Sequence, residues 1–194
     1  MKRFLIGALL SGAVMLPAYA ALKNGEAAPD FKAQASLAGK EFTFSLQDAL
    51  KKGPVVVYFY PAAYTRGCNI EAKTFADNAE NFAAAGATII GVSQDSISKL
   101  KDYSADPEYC AGKFAVAADA GGKITQSYKL NVMTLDRKVT DTRGAEVTHS
   151  LTERTTFVIT PDNKVIATLS SNDDKVAPHE HAEKSLAIVQ ALKK

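Results

Sequence analysis

Val55-Val56-Val57-Tyr58-Phe59-Tyr60 is continuously β-branched or aromatic, too short for a helix and without polar alternation. A run of this kind predicts a strand covered on both faces. Pro61 ends it, because proline has no N–H to give to a sheet ladder. After a seven-residue loop, Phe75, Ala79, Phe82 and Ala83 fall at i, i+4, i+7 and i+8, the spacing of a core-facing helix that Gly86 can terminate. Ala87 to Val92 repeats the buried-strand pattern. Strand, helix and strand of this type make a right-handed βαβ unit, so the sheet is partly parallel.

Working outward, Phe31 to Ala35 and Glu41 to Phe44 read as a hairpin joined through Ala38-Gly39-Lys40, preceded by an arm over Ala21 to Asp30. Ser45 with Asp48 three residues on resembles a capping box, opening a short helix that closes at Gly53-Pro54. On the other side come a weak helix over Ile97 to Ser104, a short strand over Phe114 to Ala117, and a Gly121-Gly122 turn into a helix over Ile124 to Leu130. Pro161-Asp162-Asn163-Lys164 is a turn between two strands, Thr155 to Ile159 and Val165 to Leu169, and Pro178 begins a final helix carrying Leu186, Val189 and Leu192. Residues 131–150 show no period, as in a lid or an added hairpin. A βαβ unit followed by ββα is the order of a thioredoxin-like α/β sandwich, with a central mixed sheet flanked by helices.

The chain has 194 residues, 46% hydrophobic and 23% charged, which fits one domain with a real core and excludes a disordered chain or a fibre. Residues 1–20 read as a signal peptide: Lys2 and Arg3, a thirteen-residue apolar run from Phe4 to Leu16, and Ala18-Tyr19-Ala20 as cleavage site. The run is short of the roughly 20 residues of a membrane span. The domain then covers 21–194, exported and periplasmic. The leader holds two of the 23 basic residues and none of the 21 acidic ones, so the mature chain carries 21 of each. With no basic stripe, a nucleic-acid partner is not expected, nor a membrane after cleavage. Export would place Cys68 and Cys110 where disulfides persist.

Cys68 lies between a buried strand and a helix, where unpaired N–H groups and the helix dipole favour a thiolate. On position alone, a buried structural cysteine is as good a reading. The neighbours decide. Pro61-Ala62-Ala63-Tyr64-Thr65-Arg66-Gly67-Cys68 fits P-x-x-x-T-x-x-C, which resembles the active-site motif of the peroxiredoxins, and within them the bacterioferritin-comigratory or PrxQ group. Gly25 to Phe31, Gly91-Val92-Ser93 and Arg154 to Ile159 are similar to other segments of that family. The resemblance spans nearly all of residues 22–194.

The resemblance implies a thiol-dependent peroxidase that reduces hydrogen peroxide and organic hydroperoxides. Cys68 is its nucleophile; Thr65, Pro61, the Gly67 and Cys68 N–H groups and Arg154 shape the site, and Glu71 orients Arg154. No metal or other cofactor is implied. The partners are a peroxide and a thiol reductant, either a thioredoxin-like protein or a small thiol, and the family includes monomers and dimers. Many PrxQ members carry a resolving cysteine five positions after the first; here that position is Lys73. Cys110 is the remaining candidate, as a resolving partner or as half of a permanent staple worth about 4 kcal/mol. Disulfide formation would require the start of the Cys68 helix to fray, since bridged Cα atoms approach within about 7 Å. The rival readings are a thioredoxin-like disulfide oxidoreductase, which would place a cysteine at Thr65, and a copper-delivery module of related fold, which would want C-x-x-x-C. His149, His179 and His181 read as solvated side chains.

Overall fold

The computed structural model describes residues 20–193; the predicted leader lies, but for Ala20, outside them. The elements in chain order are β1 (Lys32–Leu37), β2 (Lys40–Ser45), α1 (Leu46–Leu50), β3 (Val55–Phe59), α2 (Arg66–Asp77), α3 (Ala79–Ala84), β4 (Thr88–Ser93), α4 (Ile97–Ala105), β5 (Ala115–Ala118), α5 (Lys123–Ser127), β6 (Val132–Met133), β7 (Leu151–Thr152), β8 (Thr155–Ile159), β9 (Val165–Ser170) and α6 (Pro178–Ala191). The main sheet has the order β2-β1-β5-β4-β3-β8-β9. At its centre β3 runs parallel to β4 and antiparallel to β8, so the sheet is mixed.

Every residue of β3 is buried, because alternate side chains feed two cores. Val55, Val57 and Phe59 join Phe31, Leu46, Leu50 and Tyr128 on one face. Val56, Tyr58 and Tyr60 join Phe75, Phe82, Leu100 and Tyr103 on the other. Helices thus cover both faces of one sheet, the thioredoxin-like sandwich expected. Ser45 caps α1, its hydroxyl accepting from the Asp48 N–H at 3.3 Å. The arm before β1 lies along β9, with Gly25 N–H on Val165 O and Val165 N–H on Glu26 O.

Three expectations need correction. The helix read across Phe75 to Ala83 is two, broken at Asn78, where φ is −104° and ψ 4°. The break turns the second helix, so Phe75, Ala79 and Phe82 stay buried while Ala83 is exposed. The first of these helices starts at Arg66, two residues before Cys68. In α6 His181, Ala182, Ser185 and Val189 are buried and Leu186 packs half-buried against the core as expected, whereas Leu192 falls beyond the helix and is exposed. His181 is fully buried rather than solvated, because α6 turns it inward beside polar residues of β8 and the chain after β9. The segment 131–150 is bounded by the β6–β7 pair and contains a Thr140–Glu146 bridge, the added-hairpin form of the two readings. Among the described residues no helix is long and apolar enough to cross a membrane.

Candidate active site

The chain leaves β3 and turns through residues 61–65 into α2. Tyr64 sits at φ +64°, a region an aromatic L-residue rarely occupies, so surrounding contacts must hold it there. Its carbonyl accepts from the Thr142 backbone N–H at 2.9 Å and the Thr142 hydroxyl at 2.8 Å, and its ring lies 3.3 Å beneath the Arg143 guanidinium carbon. One residue earlier, the Ala63 N–H donates to Asp95 Oδ2 at 2.7 Å. The period-less segment therefore clamps this loop from one side and the end of β4 holds it from the other. Pro61 is half-buried at the loop's start. The Thr65 hydroxyl donates to Ala62 O at 2.8 Å, leaving its lone pairs free; donating to a substrate instead requires rotation of its side chain.

Thr65 is the N-cap of α2, so the N–H groups of Arg66, Gly67 and Cys68 have no carbonyl within the helix to bind. Cys68 is 1% exposed, and its Sγ accepts from Arg154 Nη2 at 3.3 Å. Arg154 Nη1 pairs with Glu71 Oε2 one helical turn on. Gly67 makes room for this: a Cβ there would stand 3.1 Å from Arg154 Nη2. Preorganised donors around a buried sulfur can stabilise charge that develops in a transition state there.

Behind the pair, Glu71 Oε1 is buried with no hydrogen-bond partner, and His181 Nδ1 lies 4.0 Å from it. Burial pushes Glu71 up to about 7 against the pull of Arg154. The guanidinium is the fixed charge, since arginine keeps its proton in proteins, and Glu71 is the member that responds to pH. His181 Nε2 meets Ser171 Oγ at 2.9 Å, and that hydroxyl's own proton goes to Val176 O at 2.8 Å. Nε2 therefore carries the hydrogen and Nδ1 accepts from Thr156 Oγ1 at 2.9 Å. Burial, with Arg154 adding to it, holds His181 down to about 3.

Cys110 is fully buried in the turn after α4, and both thiols are free. It shares an apolar cluster with Cys68, Tyr60, Tyr64 and Tyr103. Burial pushes the Cys110 thiol well up, with Asp106 adding to it. In the same cluster Tyr103 donates its hydroxyl to Cys68 O at 3.0 Å, with Asn69 Oδ1 at 3.3 Å. The structure thus brings Pro61, Thr65, Gly67, Cys68, Glu71 and Arg154 to one site, with Cys110 in the adjoining core.

Residues 24–168 match the AhpC/TSA family. This chain is an AhpC/TSA-family peroxiredoxin. Chloroplastic peroxiredoxin Q of Populus jackii is 30% identical to it over 182 residues, covering 94% of this chain and 75% of that one. Among solved structures, peroxidoxin BcpB from Mycobacterium tuberculosis superposes with a TM-score of 0.72 at 30% identity, covering 89% of this chain and 99% of that one. Xanthomonas campestris peroxiredoxin Q superposes with a TM-score of 0.66 at 25% identity, covering 84% and 92%. The resemblance to the PrxQ and bacterioferritin-comigratory group agrees with these relatives, and the chain is accordingly a peroxidase.

Sequence reasoning missed the residues that hold this peroxiredoxin's loop. Asp95 could have been found from its place two residues after Ser93 at a strand end. Tyr103 sits on a helix whose inner face reads as ordinary core, and Thr142 belongs to the segment without a period, so neither carried a local signal. His149, read as solvated, is instead bonded at both ring nitrogens, to Ser150 O and Asp95 Oδ1, and His181 is held by Thr156 and Ser171 behind Glu71.

Proposed function

We propose that this peroxiredoxin reduces hydrogen peroxide and organic hydroperoxides with Cys68 as nucleophile. The observation that carries the reading is the Arg154 guanidinium at 3.3 Å from the Cys68 sulfur, in a helix turn whose N–H groups are unpaired. The Cys68 thiolate forms a bond to one peroxide oxygen as the O–O bond breaks. The electron pair leaves on the other oxygen, which takes a proton and departs as water or an alcohol. Arg154 and the Gly67 and Cys68 N–H groups are placed to bind the oxygens as charge shifts. The Xanthomonas campestris bacterioferritin comigratory protein, described for its alkyl peroxide reduction activity, superposes with a TM-score of 0.66 at 25% identity, which supports hydroperoxides as substrates.

The sulfenic acid on Cys68 is then attacked by Cys110. A sulfur–sulfur bond forms, hydroxide leaves, and with the Cys110 proton it becomes water. A thioredoxin-like protein or a small thiol returns two electrons. With the leader read at the N-terminus, the enzyme works outside the cytoplasm and draws on a reductant of that compartment.

The test is intact-mass spectrometry with peptide mapping of the reduced protein, before and after one equivalent of hydrogen peroxide, quenched by alkylation. Loss of two hydrogens mapped to Cys68 and Cys110 supports the whole cycle. Oxygen gained at Cys68 with Cys110 still alkylatable removes Cys110 from it. Equal, slow reaction of both thiols overturns the peroxidatic role of Cys68.

A further inference from the structure

His149 is the one of the three histidines whose ring nitrogens both meet pure acceptors. Nδ1 lies 2.9 Å from Ser150 O and Nε2 lies 3.0 Å from Asp95 Oδ1. A carbonyl oxygen only accepts, so Nδ1 carries a hydrogen. The second line needs one proton as well, on Nε2 or on Oδ1. Asp95 Oδ1 already faces the Lys99 ammonium at 3.2 Å, and Asp95 Oδ2 accepts from the Ala63 N–H at 2.7 Å and the Ser93 hydroxyl at 2.9 Å. A carboxylate that receives donors at both oxygens is held as an anion, so the proton belongs to Nε2 and the ring is an imidazolium.

The surroundings agree. Lys99 also reaches Asp141 Oδ2 at 3.3 Å, and Arg143 pairs with that same oxygen at 3.4 Å, so cations and anions alternate through His149, Asp95, Lys99, Asp141 and Arg143. On its outer side His149 borders a pocket with Asp136, Arg137, Lys138 and Glu146, of which Lys138 and Glu146 pair with each other. Burial works against the His149 charge while the Asp95 carboxylate and the Ser150 carbonyl favour it, and the balance lies above the ordinary histidine value.

We propose that His149 is a positioning residue for the loop from Pro61 to Thr65: as an imidazolium it balances the buried Asp95 carboxylate, and Asp95 in turn holds the Ala63 N–H. Ala63 precedes Tyr64, whose left-handed conformation sets the direction in which Thr65 and the first turn of α2 leave the loop. Loss of the proton would turn a lone pair of Nε2 toward Asp95 Oδ1 and leave Lys99 as its one remaining cation. The effect on rate rests on the peroxidatic reading of Cys68; the effect on the loop does not.

Two measurements test this independently of activity. In ¹⁵N-histidine-labelled protein followed by NMR from pH 5 to 9, both His149 nitrogens remain protonated past the pH at which an ordinary histidine loses its proton. A neutral His149 ring at pH 6.5 overturns the proposal. In His149→Gln, exchange of the Ala63 amide accelerates about tenfold or more while that of Val57 is unchanged, and His149→Lys, which keeps a cation, recovers much of the protection. Unchanged Ala63 exchange in His149→Gln also overturns it. A third measurement reads the consequence: the ratio of wild-type to His149→Gln rates of Cys68 oxidation falls toward one as pH rises through the His149 titration. A flat ratio overturns the positioning role, whereas a Cys68 inert to peroxide in both proteins overturns the peroxidase reading and leaves the loop to be judged by exchange.

Discussion

Arg154 holds Cys68 and Glu71 with different nitrogens of one guanidinium, Nη2 lying 3.3 Å from the Cys68 sulfur while Nη1 pairs with Glu71. The arrangement needs a planar fork, which lysine lacks. Arg154→Lys is expected to keep the fold but to lower the second-order rate of Cys68 oxidation by hydrogen peroxide about 100-fold. Stopped-flow kinetics measures this, and a loss of less than about threefold would show that the contact is not used.

Gly67 borders the same guanidinium, and an added Cβ would meet Nη2 at 3.1 Å. Alanine is the better helix former by up to about 1 kcal/mol, so Gly67→Ala is expected to retain or gain thermal stability. Its peroxide rate falls about tenfold as Arg154 is displaced. A parallel fall in stability and rate would indicate general damage instead.

Tyr103 donates to Cys68 O at 3.0 Å and so fastens the turn that must open before Cys68 can reach Cys110. Removing the hydroxyl in Tyr103→Phe costs about 1 kcal/mol of that closure, which corresponds to about fivefold faster disulfide formation once Cys68 is oxidised. Quench-flow alkylation with mass analysis follows this step. Resolution that is unchanged or slower would rule out the latch.

His181 and His149 give opposite pH dependences of stability. His181 is held down to about 3 by burial, with Arg154 adding to it, so between about 6.5 and 3 the unfolded chain binds a proton that the folded one does not, and stability falls with acid. His181→Gln is expected to remove that part of the acid loss, on the order of a few kcal/mol, seen as a smaller drop in urea midpoint from pH 7 to pH 4.5. His149 is raised, so its contribution is complete below about 6.5 and is lost as pH rises through its folded value. Its removal in His149→Gln flattens the alkaline side, and an acid-side change alone would contradict the sign.

The local features were legible because each is written in a few adjacent residues. The hydrophobic run at residues 55–60, the turn at Pro161 to Lys164 and the proline opening α6 all became the elements they predicted. The break at Asn78 was not legible: the 3.6-residue period runs through it, and the break shows only in the backbone angles. Pro61, Thr65, Gly67 and Cys68 were readable together because one short loop carries them, and Arg154 and Glu71 through the family resemblance.

A chain of this composition with these buried runs dictates an α/β sandwich on local grounds alone, since side-chain period and turn chemistry act over a few residues. Sequence also supplied the thiol at a helix start. Which groups surround that thiol depends on sheet order. The β3–β8 pairing brings Arg154 to Cys68, 86 positions away. The end of β4 brings Asp95 to the loop, the packing of α4 and the 131–150 segment brings Tyr103, Thr142 and His149, and α6 sets His181 behind Glu71. Such partners share no local pattern with Cys68, because tertiary contacts are selected by the burial of whole elements, and a side chain's charge state follows from the neighbours that burial leaves it.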